Sequence, residues 1–129
     1  MKVEELSIGD WINVTNYHWD GSPYTGQVNG ITKKHGTYYL QFSDALSAEI
    51  DRCEPIPITH EILEKNGFKK EDDDCYLWNE NLERVIWFDG GYTVVTSVRC
   101  DRMYEGHCYD VHELQHILDI CGINLKIEL

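Results

Sequence analysis

Through the first half of the chain, apolar residues come in short runs separated by turn-forming residues. Gly9-Asp10 marks a turn, and Trp11-Ile12-Asn13-Val14 begins a strand. Asn16 to Gly21 is a loop, with Tyr17, His18 and Trp19 near its tip. A second strand is predicted around residues 25–31, a turn over 33–36 and a third strand over 37–42, where aromatic residues and Thr suit a pleated, half-buried surface. Residues 43–46 turn the chain, and 48–56 read as extended, closed by Pro55 and Pro57. Short strands at this spacing predict a small, strongly bent sheet or SH3-like barrel.

The pattern then changes to helix. Thr59 is a good N-cap, Glu61 lies in the first turn, Gly67 stops the helix, and Ile62, Leu63 and Phe68 give it an apolar edge. Residues 69–74, Lys-Lys-Glu-Asp-Asp-Asp, read as a solvated turn; the alternating oxygen ligands and glycine of a calcium loop are absent. Strands are predicted over 75–79, 82–88 and 92–98, with Asp89-Gly90-Gly91 as a tight turn between the last two and 99–106 as a polar link. Residues 109–122 form the clearest helix, with Asp110 as N-cap and Gly122 just past its end. Ile123, Leu125, Ile127 and Leu129 then alternate with polar residues, which predicts a closing strand pinned into a sheet. The predicted fold class is α+β: a small bent β-sheet or SH3-like barrel over residues 1–57, followed by a helix–β-hairpin–helix–strand unit over 58–129, the two packed as one body.

The C-terminal helix carries the string His112-Glu113-Leu114-Gln115-His116, which fits the zinc-hydrolase pattern H-E-x-x-H. Residues four apart share a helix face, so two imidazoles could hold zinc while Glu113 acts on a metal-bound water. Placed at about 100° per residue, Val111, Leu114, Ile117, Leu118, Ile120 and Cys121 form one broad apolar face. His112, His116 and Asp119 fall on the other side, with Glu113 at the boundary. A catalytic zinc needs a third protein ligand. Asp119 and Gly122 stand at the offsets where other zinc hydrolases carry Gly and a third His, and upstream candidates are Cys100, His107 and Cys108. The plainer reading is two surface histidines one turn apart, with His112, His116 and Asp119 at most a weak surface metal site. Cys108 beside His107 invites a thiol-enzyme reading, but sequence neighbours on a strand or loop usually point apart.

Composition narrows the function classes. The 129 residues suffice for one domain or two small lobes, and 42% hydrophobic content with four Trp and eight Tyr argues for a packed globule. Net charge is −12, spread as about −4 over residues 1–58 and about −8 over 59–129. Such a surface repels a phosphate backbone and disfavours direct nucleic-acid binding; it suits solubility, or a basic protein partner that it meets by imitating nucleic acid. Five cysteines, an odd number with no C-x-x-C pair, fit a reducing cytosol, and Cys121 on the apolar face reads as a core residue. No signal-peptide pattern and no run long enough for a membrane span is present, so a cytoplasmic location without membrane contact is expected. No phosphate-binding glycine loop or nucleophile elbow occurs. The loop aromatics Tyr17, His18 and Trp19, with Tyr24, either cover the open end of a small barrel or anchor a ligand or peptide.

Three segments, ELSIGDWINV, PIPITHEILEKNGF and YDVHELQHI, together resemble a family of short uncharacterised proteins found in Bacteroidetes genomes, prophages and phages. That family reads approximately L-x-I-G-N-x-V, then P-I-P-L-T-x-E-x-L-x-x-x-G-F, then Y-V-H-x-L-Q-N-L, in the same order and separation. It usually carries Gln and Asn where this chain has Glu113 and His116, which implies that the H-E-x-x-H string is a variant of a structural helix. The chain departs from it at Cys121-Gly122-Ile123-Asn124-Leu125, where Thr-Gly-Glu-Glu-Leu is usual. The resemblance implies a phage or mobile-element setting but no established activity. Together with the acidic surface and the loop aromatics, the expected function is a non-enzymatic accessory protein without cofactors, acting through contacts with a protein partner, such as a host nucleic-acid-binding defence protein. The alternatives are a zinc-dependent hydrolase built on His112, Glu113 and His116, and a small-molecule binder with its pocket between barrel and C-terminal helix.

Overall fold

Turn chemistry starts the N-terminal sheet. Gly9 takes φ +97°, a conformation glycine adopts without steric cost. The Ser7 N–H donates to Asp10 Oδ2 at 2.8 Å, and the Asp10 N–H donates back to the Ser7 carbonyl at 3.2 Å. Strand β1 (Trp11–Val14) follows with Ile12 and Val14 turned inward. The computed structural model describes residues 1–42, 46–72, 75–78, 83–88, 91–98, 102–120 and 125–129, with side chains described for 1–42, 46–70, 76, 108–120 and 125–129. The expected turn residues 43–45 and Asp89-Gly90, the pair Asp73-Asp74, Cys100, and the helix end at Cys121-Gly122 with Ile123 lie outside the described residues.

Two compact units divide the chain, Met1–Ile56 and Pro57–Leu129. In the first, β1 is followed by β2 (Tyr24–Lys34), β3 (Thr37–Phe42), β4 (Ser47–Glu49), a 3₁₀ turn at Ile50–Arg52, and β5 (Cys53–Pro55). The strands form one antiparallel sheet in the order β4-β3-β2-β1-β5, so β5 returns to pair with β1, Val14 facing Cys53 and Ile12 facing Pro55. His35 and Gly36, at φ +51° and +81°, make the tight turn between β2 and β3. Two positive φ values match the twist of an antiparallel pair. Strand β2 runs longer than its sequence pattern predicts because a bulge between Val28 and Gly30 lets it bend and continue. The stretch 48–56, expected to be largely extended, is interrupted by the 3₁₀ turn. Leu6, Ile12, Val14, Val28, Leu40, Phe42, Ala48 and Cys53 form the core, with Tyr24, Ile31, Leu46 and Ile50 packed against it.

The second unit opens with α1 (His60–Lys65). The Thr59 hydroxyl accepts from the Ile62 N–H at 3.1 Å, the expected N-cap. Gly67, at φ +89°, ends the helix in a Schellman motif. In it the Gly67 N–H donates to the Glu64 carbonyl and the Phe68 N–H to the Leu63 carbonyl. Leu63 and Phe68 are both buried at this closure.

Five strands follow: β6 (Lys69–Asp72), β7 (Cys75–Trp78), β8 (Glu83–Phe88), β9 (Gly91–Val98) and β10 (Arg102–Cys108). They pair antiparallel in the order β10-β9-β8-β7-β6. Helix α2 (Val111–Ile120) comes last. The mixed α+β class is as predicted, but the hairpin is a five-stranded meander. Residues 69–72, expected as part of a solvated turn, are edge strand β6; edges tolerate a charged sequence, which also blocks pairing with other chains. The expected polar link over 99–106 contains most of β10, the opposite edge.

The closing strand is also corrected: residues 125–129 form no strand. Ile127 is nevertheless buried, and the Asn66 amide holds the neighbouring backbone. Its Nδ2 donates to the Glu128 carbonyl and its Oδ1 accepts from the Glu128 N–H, both at 2.7 Å. One side chain supplies the pair of bonds a neighbouring strand would have made.

Candidate functional site

The loop between β1 and β2 is built from its own backbone. Asn16, at φ +51°, and Gly21, at φ +84°, reverse the chain direction. The His18 N–H donates to the Ser22 carbonyl at 3.0 Å, and the Gly21 N–H to the His18 carbonyl at 2.9 Å. Asp20 Oδ1 accepts from the Ser22 N–H at 2.9 Å and from its hydroxyl at 2.6 Å. Those two Ser22 bonds hold the Asp20 carboxyl below the usual carboxylate range. At the base of the loop, the Thr15 N–H and hydroxyl both donate to the Arg52 carbonyl, at 2.8 and 3.0 Å.

This frame separates the four predicted aromatic positions. Tyr24 is half-buried and meets Phe42 edge-on, with ring centroids 5.8 Å apart, so it covers the core. Its seat depends on Gly26: a Cβ there would lie 2.7 Å from the Tyr24 ring. Tyr17 packs on Tyr24 at 5.2 Å and on His18 at 5.0 Å while remaining 42% exposed. Trp19 is 100% exposed. Covering the core therefore accounts for Tyr24 and in part for Tyr17, and leaves Trp19 unexplained.

Helix α2 differs from its helical-wheel reading. His112, expected on the solvated side, is 3% exposed; Ile120, expected on the apolar face, is 68% exposed. The cause is the angle of docking. Just before the helix, the Ile58 N–H donates to the Tyr109 carbonyl at 3.0 Å and Pro57 bridges Asp110, so the first turn lies deep in the unit. The last turn, with Asp119 and Ile120, emerges. Burial thus follows position along the axis as well as angle around it.

The H-E-x-x-H residues are placed by this geometry. The His112 and His116 rings meet edge to face with centroids 5.9 Å apart. Glu113 Oε1 accepts from the Asp110 N–H at 3.2 Å and the Tyr109 N–H at 3.3 Å. Because the Asp110 carbonyl accepts from the Leu114 N–H, Asp110 is the N-cap, and Glu113 reaches back to its N–H as the acidic half of a capping box. The carboxylate needed as general base is engaged at the helix start. Among the described residues, no group of three His, Cys, Asp or Glu converges on a metal position, and Asp119 lies in the exposed last turn. Among the described residues the pair His112 and His116 therefore lacks a third ligand; Cys100 and the His107 side chain, two of the upstream candidates, lie outside them. Cys108 is buried, and burial, followed by the charges of Glu113 and Asp110, pushes its thiol up to about 12. It is a protonated core thiol and no nucleophile at neutral pH. The His107 side chain lies outside the described ones.

The capping box has a pH signature. The Asp110 carboxyl is pushed up from 3.8 to about 6, first by burial, then by the Glu113 charge, then by a hydrogen bond with Glu113. A carboxyl raised in the folded state contributes stability that is full below about pH 4 and lost as pH rises through about 6. Asp110→Asn keeps a capping side chain without the charge. We expect it to stabilise the protein by about 1 kcal/mol at pH 7.5, after discounting for solvent around a half-open group, and to have little effect at pH 4. Urea midpoints at the two pH values check this; an equal shift at both would refute it.

The chain matches no protein-family model, no curated protein and no solved structure. No helix among the described residues is long and apolar enough to cross a membrane. A shallow depression of about 650 Å³ lies in the first unit, lined by Met1–Glu5, Tyr38 and Ile50. Sequence reasoning missed two working residues. Glu113 as a cap was readable from the D-x-x-E spacing with Asp110. Asn66 carries no local signal, because its partner is 62 positions away.

Proposed function

We propose that this is a non-enzymatic accessory protein that acts through protein contacts, with the loop around Trp19 as its point of contact. One observation carries the reading: an indole fully in solvent, on a loop whose backbone is fixed by internal hydrogen bonds. A preorganised, exposed Trp pays little ordering entropy on binding and is the side chain most enriched among binding hot spots. A net charge of −12 directs the loop to a basic partner, the type represented by a nucleic-acid-binding defence protein. Membership of the phage and mobile-element group rests on the three segments that resemble it, and a cytoplasmic location on the odd cysteine count. The SH3-like description of the first unit is supported by its strand order, with β5 returning to β1.

The test places a photo-cross-linking tryptophan analogue, which keeps the indole, at position 19, and separately at position 33, in cells that make the protein. Position 19 is expected to cross-link a defined basic protein, with nucleic acid competing for that product. Equal labelling from both positions, or none from 19, would overturn the reading.

A further inference from the structure

The chemistry of the loop tip narrows the partner further, and this step rests on the protein-contact reading above. We propose that Trp19 and Asp20 together bind a cationic side chain, arginine or lysine, presented by a basic segment of the partner protein.

Three observations converge on a cation. First, Trp19 is 100% exposed, so its indole face is open to a guanidinium or ammonium group; tryptophan is the strongest aromatic partner for a cation. Second, Asp20 is the next residue, and its carboxyl is fixed in place. Both Ser22 bonds fall on Oδ1, and Oδ2 keeps its lone pairs for a further donor. The held carboxylate supplies the charge that a bare indole lacks, one residue further along the same turn.

Third, apart from His18, whose charge helps to lower the Asp20 carboxyl, the surrounding charge favours a cation from outside. The lysine pair Lys33-Lys34 stands at the far end of β2 from the loop, about nine residues along the strand and so on the order of 30 Å away. The Lys33 ammonium lies 5.1 Å over the Tyr38 ring, which shows the same cation–aromatic contact made within the chain. Arg52, at the base of the loop, directs its guanidinium at the carbonyls of Thr15 and Asn16, at 3.4 and 3.5 Å. An anionic partner, including a phosphate backbone, would meet the Asp20 carboxylate and a −12 protein.

The test uses the full chain and two peptides of seven residues. One alternates glycine and arginine; the other carries citrulline, an uncharged isostere, at each arginine. Binding is followed at physiological salt by the indole N–H resonance of Trp19, identified by its loss in Trp19→Ala. The arginine peptide is expected to shift that resonance and the amides of Asp20 and Ser22 saturably, while the citrulline peptide leaves them unmoved. Trp19→Ala and Asp20→Asn are each expected to weaken binding at least about tenfold, about 1.4 kcal/mol. Unchanged amide positions in β1–β3 verify folding, and Asn at position 20 can still accept from Ser22. Shifts spread over the acidic surface, with the same affinity in Trp19→Ala, would overturn the proposal, as would equal binding of the citrulline peptide. Cross-linking at position 19 without arginine binding there would remove the cation assignment and leave the contact reading standing. Arginine binding at the tip without any cross-linked partner would do the reverse.

Discussion

Phe42→Ala is expected to lower the stability of the first unit by about 3–5 kcal/mol, the usual cost of emptying a large aromatic site in a packed core. Phe42 is almost fully buried, sits opposite Val28 across the β2–β3 pair, and receives the edge of the Tyr24 ring. Its deletion removes both the core volume and the surface on which Tyr24 rests. Domains hold roughly 0.05–0.15 kcal/mol per residue, about 3–8 kcal/mol for the 56 residues of this unit, so the loss takes most of its stability. Amide hydrogen exchange in β1–β3, combined with urea titration, measures it. Trp19→Ala makes the contrast, with an expected change within about 0.5 kcal/mol because nothing buried is lost. A Phe42→Ala effect below about 1 kcal/mol would mean the core is not centred where the structure puts it. The pair of variants also separates the roles of the aromatic series: Phe42 and Tyr24 hold the fold, Trp19 is left for contact.

The second large effect is expected from Asn66→Ala, at about 2–3 kcal/mol. Three bonds converge on this amide: Nδ2 donates to Ile62 at 2.8 Å and to Glu128 at 2.7 Å, and Oδ1 accepts from the Glu128 N–H at 2.7 Å. Each is worth about 1 kcal/mol net. Asn66→Asp is a sharper probe. It keeps the acceptor for the Glu128 N–H but sets a carboxylate oxygen against the Glu128 carbonyl. Both variants are expected to free residues 125–129 from exchange protection and to expose Ile127. Unchanged protection of the Glu128 amide in either variant would show that the segment is held by packing alone.

Local chemistry was legible in the sequence wherever it was complete within a few residues. The strand Thr37–Phe42, the Thr59 cap and the Gly67 stop all read directly, because each depends on neighbours inside one turn or one strand. Edge strands β6 and β10 did not, since the sequences of Lys69–Asp72 and Arg102–Cys108 lack the apolar–polar alternation that marks a half-buried strand. His112 misled for a related reason: a helical wheel assumes uniform burial along the axis, whereas His112 in the first turn of α2 is buried and Ile120 at its end is exposed. The closing residues alternate because Ile127 is buried, yet their backbone partner is a side chain rather than a strand. At the candidate site, the aromatic cluster was visible as composition. Which of its members faced inward depended on Phe42, distant in sequence, and on Gly26, whose missing side chain makes room for the Tyr24 ring and gives no apolar signal.

The two sheets differ in how far the chain must travel to complete them. Every pairing in the β10-β9-β8-β7-β6 meander joins consecutive strands, so each step closes only a short loop. The first unit cannot finish until β5 reaches β1, bringing Pro55 beside Ile12 across almost the whole unit. Loop-closure entropy makes that pairing late and slow relative to a ladder of hairpins. During synthesis, the β1–β3 meander would wait with one side of β1 unpaired until β5 emerges. That interval is when the chain is most open to misassociation, and Pro55, which has no N–H to offer a ladder, blunts the edge that forms last.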